Sequence, residues 1–193
     1  LQDGADSTVK NVAITALADA TIALTDLNKL ENVTVAGAGS VTLTGATKAD
    51  INATGSTGDV TVEGTLDVAA AFTGGAGNDT ITLGASTKAH DMGAGADTVK
   101  ILEALGKGVS INGGAGIDTL EMTTDIAKNF RVGDAITGFE ILKLGGGTDT
   151  VDMDNFGAIN HVIAGSGAAT VKNIDSNGTI EFNAAGAAMT VTV

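Results

Sequence analysis

The stretch Gly74-Gly75-Ala76-Gly77-Asn78-Asp79-Thr80-Ile81-Thr82, GGAGNDTIT, decides the fold. A six-residue turn that bends its carbonyls toward one centre needs φ > 0 at several positions, which glycine reaches without steric cost. The Thr-Ile-Thr that follows alternates polar and apolar side chains, as a half-buried strand does. The string returns as GGAGIDTLE (113–121). Two further copies replace only the first glycine, MGAGADTVK (92–100) and LGGGTDTVD (144–152). Each aspartate, Asp79, Asp97, Asp118 and Asp149, is followed by Thr and then an apolar residue (Ile81, Val99, Leu120, Val151) that is expected to point into a core.

Outward from these copies the same rhythm continues. Apolar–Thr strings recur at NVTVAG (32–37), SVTLTG (40–45), ADINATG (49–55) and DVTVEG (59–64), about nine residues apart. They resume after the motifs at FEILKLG (139–145), HVIAGSG (161–167), ATVKN (169–173), GTIEF (178–182) and MTVTV (189–193). Antiparallel hairpins usually need two-residue Asn-Gly or Asp-Gly turns, whereas these connections are longer and regular. A chain that turns the same way after similar lengths winds into a parallel coil, and no coil buries its apolar face until coils stack. The expected fold is all-β, a parallel β-roll or β-solenoid with Gly-rich turns. It divides into irregular Thr/Val/Ala-rich coils (1–70), a roll (71–153) with an inserted loop and short helix at 123–138, and C-terminal coils (154–193), in one continuous domain. ADATIALTDLNKLEN (18–32) is expected to hold a turn of helix.

Asp79 and Asp97 lie 18 residues apart, two nonapeptides or one full coil, so they should stack on one edge. Asp118 extends the row after a small insertion, and Asp149 extends it only if the 123–138 loop bulges outward. Stacked glycine turns offer several carbonyl oxygens and one carboxylate each, the oxygen-rich cage that Ca²⁺ accepts at roughly 2.3–2.6 Å. Mg²⁺ sheds water reluctantly, and zinc would want His or Cys. The expected ligand turns are Gly74, Gly75, Ala76, Gly77 and Asp79; Met92, Gly93, Ala94, Gly95 and Asp97; Gly113, Gly114, Ala115, Gly116 and Asp118; and Gly145, Gly147 and Asp149. Asp97, serving the cages above and below it, is the most sensitive position.

Composition agrees. Of 193 residues 28 are glycine, and the chain has no proline, cysteine, tryptophan or tyrosine. Hydrophobic content of 43% against 17% charged argues for a packed core over disorder. A formal net charge of −13 with ten Lys and Arg makes nucleic acid an improbable partner and suits carboxylates gathered for a hard cation. No apolar run reaches the roughly 18 residues of a membrane span, so membrane insertion is not expected. A chain starting at Leu1 reads as a piece of a longer polypeptide.

The motif matches the G-G-x-G-x-D-x-U-x nonapeptide of calcium-binding repeats-in-toxin rolls, U being apolar. The run FTGGAGNDTITLGASTKAHDMGAGADTVKI, then SINGGAGIDTLEM, then ITGFEILKLGGG resembles the calcium-binding region of bacterial surface-layer proteins of the repeats-in-toxin type. The resemblance implies a secreted, non-enzymatic structural protein at the bacterial cell surface, exported by a one-step type I route. It implies several Ca²⁺ ions that drive folding, self-association into a two-dimensional lattice, and anchoring to lipopolysaccharide through regions outside this chain. The rival readings are a folding and export roll of a secreted enzyme or toxin, and an adhesin module showing a flat Thr-rich face.

Other residues carry less. His90 and His161 are single and distant, and are expected on the surface. No G-x-S-x-G nucleophile elbow occurs. The five Phe (72, 130, 139, 156, 182) read as core plugs or end caps. Asp152 and Asp154 in TDTVDMDNFG (148–157) read as solvated charges, with an additional cation as the alternative.

Overall fold

The computed structural model describes residues 7–45, 47–130, 135–182 and 187–192. Every strand pairing is parallel, and the chain winds a β-solenoid of about nine coils. One nine-stranded sheet runs its length: Ala20–Ala23, Val41–Thr44, Val60–Leu66, Thr80–Leu83, Thr98–Ile101, Thr119–Met122, Ile141–Leu144, His161–Ala164 and Thr179–Phe182. A seven-stranded sheet faces it: Asn11–Ala16, Asn32–Gly37, Asp50–Ser56, Phe72–Thr73, Ala89–Asp91, Ser110–Asn112 and Ala135–Thr137. A three-stranded sheet, Thr150–Asp152, Gly167–Lys172 and Ala187–Thr192, takes its place in the last coils. The strings near Thr34, Thr42, Asn52 and Thr61 therefore fall alternately on the two sheets, two strings to a coil.

Register lines up like with like. Ile81, Val99, Leu120, Leu142, Val162 and Ile180 form one inward column of the long sheet. Ile81, Val99 and Leu120 are fully buried, as is Val151 in the shorter sheet. Each such side chain contributes about 1.5–3 kcal/mol relative to exposure, and none is covered until the next coil arrives. On the outer face the partner positions are Thr21, Thr42, Thr61, Thr80, Thr98 and Thr119, a line of six threonines.

The predicted helical turn within 18–32 is instead the strand Ala20–Ala23 followed by turns. Its alternating Thr21 and Ile22 pair with Thr42 and Leu43, and this pairing overrides local helix preference. The inserted loop does contain a short helix, Thr124–Ala127, and then returns to the facing sheet at Ala135–Thr137. Residues 131–134 of that loop, and 183–186 near the C-terminal coils, lie outside the described residues. Phe72, Phe130, Phe139 and Phe156 are core residues, Phe130 stacking on Phe156 at 5.3 Å, but Phe182 on the last strand of the long sheet is 54% exposed. Among the described residues no helix is long and apolar enough to cross a membrane.

Candidate cation site

The strand residues Thr80, Thr98 and Thr119 are in register, so Asp79, Asp97 and Asp118 fall on one edge of successive coils. The glycine turns before them stack directly. Ala94 and Ala115 donate their N–H groups to the carbonyls of Gly75 and Gly93, each at 2.9 Å, and Ala94–Gly95 pairs in parallel with Ala115–Gly116. Gly93 has φ +94°, and a Cβ there would sit on the carbonyl oxygen of Gly75. Gly116 repeats this one coil on, with φ +148° against the carbonyl of Gly95. Glycine is thus required by close approach of turn to turn as well as by φ.

The remaining turn residues follow suit. Gly74 N–H donates to Asp91 O, Ala76 N–H to Ser56 O and Gly113 N–H to Thr137 O. Gly77 lies against the backbone of Gly58, and Gly114 against Gly93. Met92 occupies the position of Gly74 and Gly113 with its side chain fully buried, so the missing glycine becomes a core residue.

The aspartates are buried, at 0%, 1% and 0% exposure for Asp79, Asp97 and Asp118. They form a chain of charge-to-backbone hydrogen bonds along the solenoid axis. Val60 N–H donates to Asp79 Oδ1 (2.7 Å), Asp79 N–H to Asp97 Oδ1 (2.6 Å) and Asp97 N–H to Asp118 Oδ1 (2.8 Å). The row continues one further rung, where Asp118 N–H donates to Glu140 Oε2 (2.8 Å). The sequence reading missed Glu140. The signal lay in Glu140-Ile141-Leu142, an acid followed by x-apolar, in register with Asp118-Thr119-Leu120.

The second carboxylate oxygens differ. Asp79 Oδ2 accepts from Gly75 N–H at 3.0 Å. Asp97 Oδ2 and Asp118 Oδ2 are buried and have no hydrogen-bond partner among the described residues. Burial raises all three pKa values. Asp79 is pushed up to about 6 and Asp97 to about 7, with the neighbouring carboxylates of Asp79, Asp118 and Asp59 adding to the burial effect at Asp97. Asp118 is also raised, by burial and then by Glu140. Two oxygens that water cannot reach are therefore left to a proton or to a cation, because an unpaired buried carboxylate is costly.

The donor set fits a hard cation in its chemistry. It consists of carboxylate oxygens and turn carbonyls, with no nitrogen or sulfur. Among the described residues no three acidic or histidine side chains gather closely enough to hold a metal alone. A cation here would therefore draw on carbonyls of the 74–77, 92–95 and 113–116 turns. Those of Gly75 and Gly93 each already accept one N–H, and a carbonyl oxygen has a second lone pair.

No protein-family model and no curated protein matches the chain.

The fourth motif copy stands apart. Asp149 precedes Thr150–Asp152, which pairs with Gly167–Lys172 in the three-stranded sheet, so Asp149 does not extend the row. Its Oδ1 takes a salt bridge from Lys128 Nζ at 3.0 Å, and its N–H donates to Thr124 Oγ1. The short helix and the residue that caps its C-terminal end supply the two partners, so the insertion diverts the copy instead of bulging away from it. Gly145 N–H donates to Met122 O, and Gly147 (φ +143°) lies against Thr124.

His90 is a second correction. It is 2% exposed and stands in the inward column between Phe72 and Ile111. Its Nε2 is 2.8 Å from the buried Ser86 Oγ, its Nδ1 has no partner among the described residues, and burial holds its pKa down to about 4. His161 is partly buried and lies 3.5 Å from Glu181. Asp152 is paired with Lys172 (2.9 Å), and Asn173 Nδ2 bridges it to Asp154, so this acidic string is tied into an ion pair.

Proposed function

We infer that this chain is a structural calcium-binding module of a secreted bacterial surface-layer protein, without catalysis, in which Ca²⁺ drives folding and assembly into a cell-surface lattice. One observation carries the calcium part: the unpartnered, buried Oδ2 atoms of Asp97 and Asp118 beside stacked glycine turns. At neutral pH a divalent ion would neutralise this row and cross-link neighbouring coils. Extracellular modules typically hold Ca²⁺ at about 10⁻⁴–10⁻³ M, and ligation that requires stacked coils couples binding to folding. The surface-layer part rests on the motif resemblance and on the acidic, cysteine-free composition.

The line of six threonines on the long sheet favours a second reading, an adhesin module with a flat polar face. Electron microscopy with and without Ca²⁺ separates the two. Ordered sheets that appear with Ca²⁺ support the lattice, and dispersed rods in both conditions contradict it. Thermal melts followed by circular dichroism, in EGTA and after Ca²⁺ addition, test the folding claim. An unchanged melting temperature argues against it.

A further inference from the structure

Four asparagines stand two residues before a threonine: Asn32-Val-Thr34, Asn52-Ala-Thr54, Asn78-Asp-Thr80 and Asn177-Gly-Thr179. Asn-x-Ser/Thr is the acceptor pattern of N-glycosylation. We propose that Asn52 is a glycosyl-acceptor site in the folded solenoid, modified at its side-chain nitrogen by a transferase using a glycosyl diphosphate donor.

The fold distinguishes Asn52 from the other three. In a regular strand residues i and i+2 share a face about 6.6 Å apart, and the N–H of residue i+2 points sideways into the ladder, out of reach of the side chain of residue i. Asp50–Ser56 is not regular at this point. Its register against the strand Asn32–Gly37 shifts, so that Thr34 to Ala36 is matched by Asn52 to Gly55, one residue longer. The extra residue kinks the strand and brings Thr54 back onto Asn52. Thr54 Oγ1 donates to Asn52 Oδ1 at 2.7 Å, and Thr54 N–H donates to the same oxygen at 3.1 Å. Asn52 and Thr54 are exposed, and Asn52 Nδ2 has no partner among the described residues.

That geometry suits the reaction. Two donors on Oδ1 stabilise the imidate form of the amide, in which oxygen carries the negative charge and nitrogen gains nucleophilicity. Nδ2 attacks the anomeric carbon, the N–C bond forms, and the C–O bond to the diphosphate breaks. The diphosphate leaves with the electron pair, and the amide proton passes to a base of the transferase. Asp50, two residues earlier on the same exposed face, adds a charged handle. Its Oδ1 accepts from Ala71 N–H, which fixes its position.

The other three lack this arrangement. Asn32 Nδ2 donates to Asn11 Oδ1 at 2.8 Å within a regular register. Asn78 Oδ1 is taken by Ala96 N–H at 2.7 Å. Asn177 lies in an exposed turn, where Gly178 N–H donates to Asp175 O and Thr179 makes no bond to the asparagine.

The donor class covers polyprenol-linked and nucleotide-linked sugars, and two arms separate them. Folded protein is incubated with a membrane oligosaccharyltransferase and a polyprenyl-diphosphate glycan, or with a soluble N-glycosyltransferase and a nucleoside-diphosphate hexose. Peptide mass spectrometry then reads occupancy at each asparagine. The expected result is occupancy of Asn52 in at least one arm, about five-fold or more above Asn32, Asn78 and Asn177. Thr54→Ala removes it and Thr54→Ser retains it, with unchanged circular dichroism in both variants. Occupancy at Asn52 no higher than at the other three in both arms, or unaffected by Thr54→Ala, overturns the proposal.

Discussion

The main-chain N–H of Asp79 donates to Oδ1 of Asp97, 2.6 Å away and one coil along the solenoid. The bond uses one oxygen of a buried carboxylate for the backbone and leaves the other without a partner among the described residues. Structure and cation chemistry are thus divided between two atoms of one side chain, and a substitution can separate them.

Asp97→Asn makes that separation. Asparagine keeps an oxygen for Asp79 N–H and removes the charge. In EGTA at pH 8 the variant is expected to melt at the same temperature as the parent or a few degrees higher, because an uncompensated buried charge has gone. In millimolar Ca²⁺ it is expected to melt well below the parent. Thermal melts in the two buffers check both signs.

Acid titration of the ion-free protein gives a second outcome. Unfolded aspartates titrate near 3.9, whereas folded Asp79 and Asp97 hold protons up to about 6 and about 7. The folded state therefore binds more protons in this window, and stability falls as pH rises from about 4 to 7, by about 1.4 kcal/mol per pH unit for each proton held. In EGTA the melting temperature is expected to rise between pH 8 and pH 5. Saturating Ca²⁺ should reduce that rise, since it replaces the protons. A profile in EGTA that is flat or falls on acidification contradicts the burial of these carboxylates.

His90 opposes this trend. An unfolded histidine titrates near 6.5, and folded His90 is held down to about 4. Its contribution is present above pH 6.5 and is lost as pH falls from there toward 4. His90→Leu, which continues the Phe72–Ile111 column, is expected to steepen the gain in stability below pH 6.5. Ser86 Oγ keeps its bond from Lys88 N–H in that variant. Parallel melts of parent and variant from pH 8 to 4.5 provide the comparison.

Turn stacking predicts the effect of Gly116→Ala. The new methyl would meet the carbonyl of Gly95 at a φ that alanine rarely adopts. A loss of about 2 kcal/mol or more is expected, with or without Ca²⁺. Gly108→Ala, also at positive φ but with open space around it, is the control and should cost less. Denaturant melts of both variants measure the difference.

Much of this architecture was legible because solenoid registry repeats a local pattern. Asp-Thr-apolar at an 18-residue interval placed Asp79 above Asp97, and alternation placed Ile81, Val99 and Leu120 inside. Breaks in the repeat were less legible. Asp149 carries the same motif, but Thr124 at the start of the inserted helix and Lys128 just past its end hold it beside another sheet. Glu140 took its place in the row without a glycine turn before it. His90 gave no sign of burial, since its neighbours Ala89 and Asp91 are exposed and its column is defined by Phe72 and Ile111, 18 and 21 residues away in sequence. Periodicity reads columns well, and long-range insertions are where it fails.

Calorimetric titration of EGTA-treated, dialysed protein with CaCl₂ at pH 7.5 is the most direct measurement. Saturable binding is expected with Kd of about 10⁻⁴–10⁻³ M, accompanied by proton release that changes the heat between buffers of different ionisation enthalpy. It should be lost in an Asp97→Asn, Asp118→Asn double variant. No saturable heat in the parent, or the same heat in the double variant, would contradict a cation held on the Asp79–Asp97–Asp118 row.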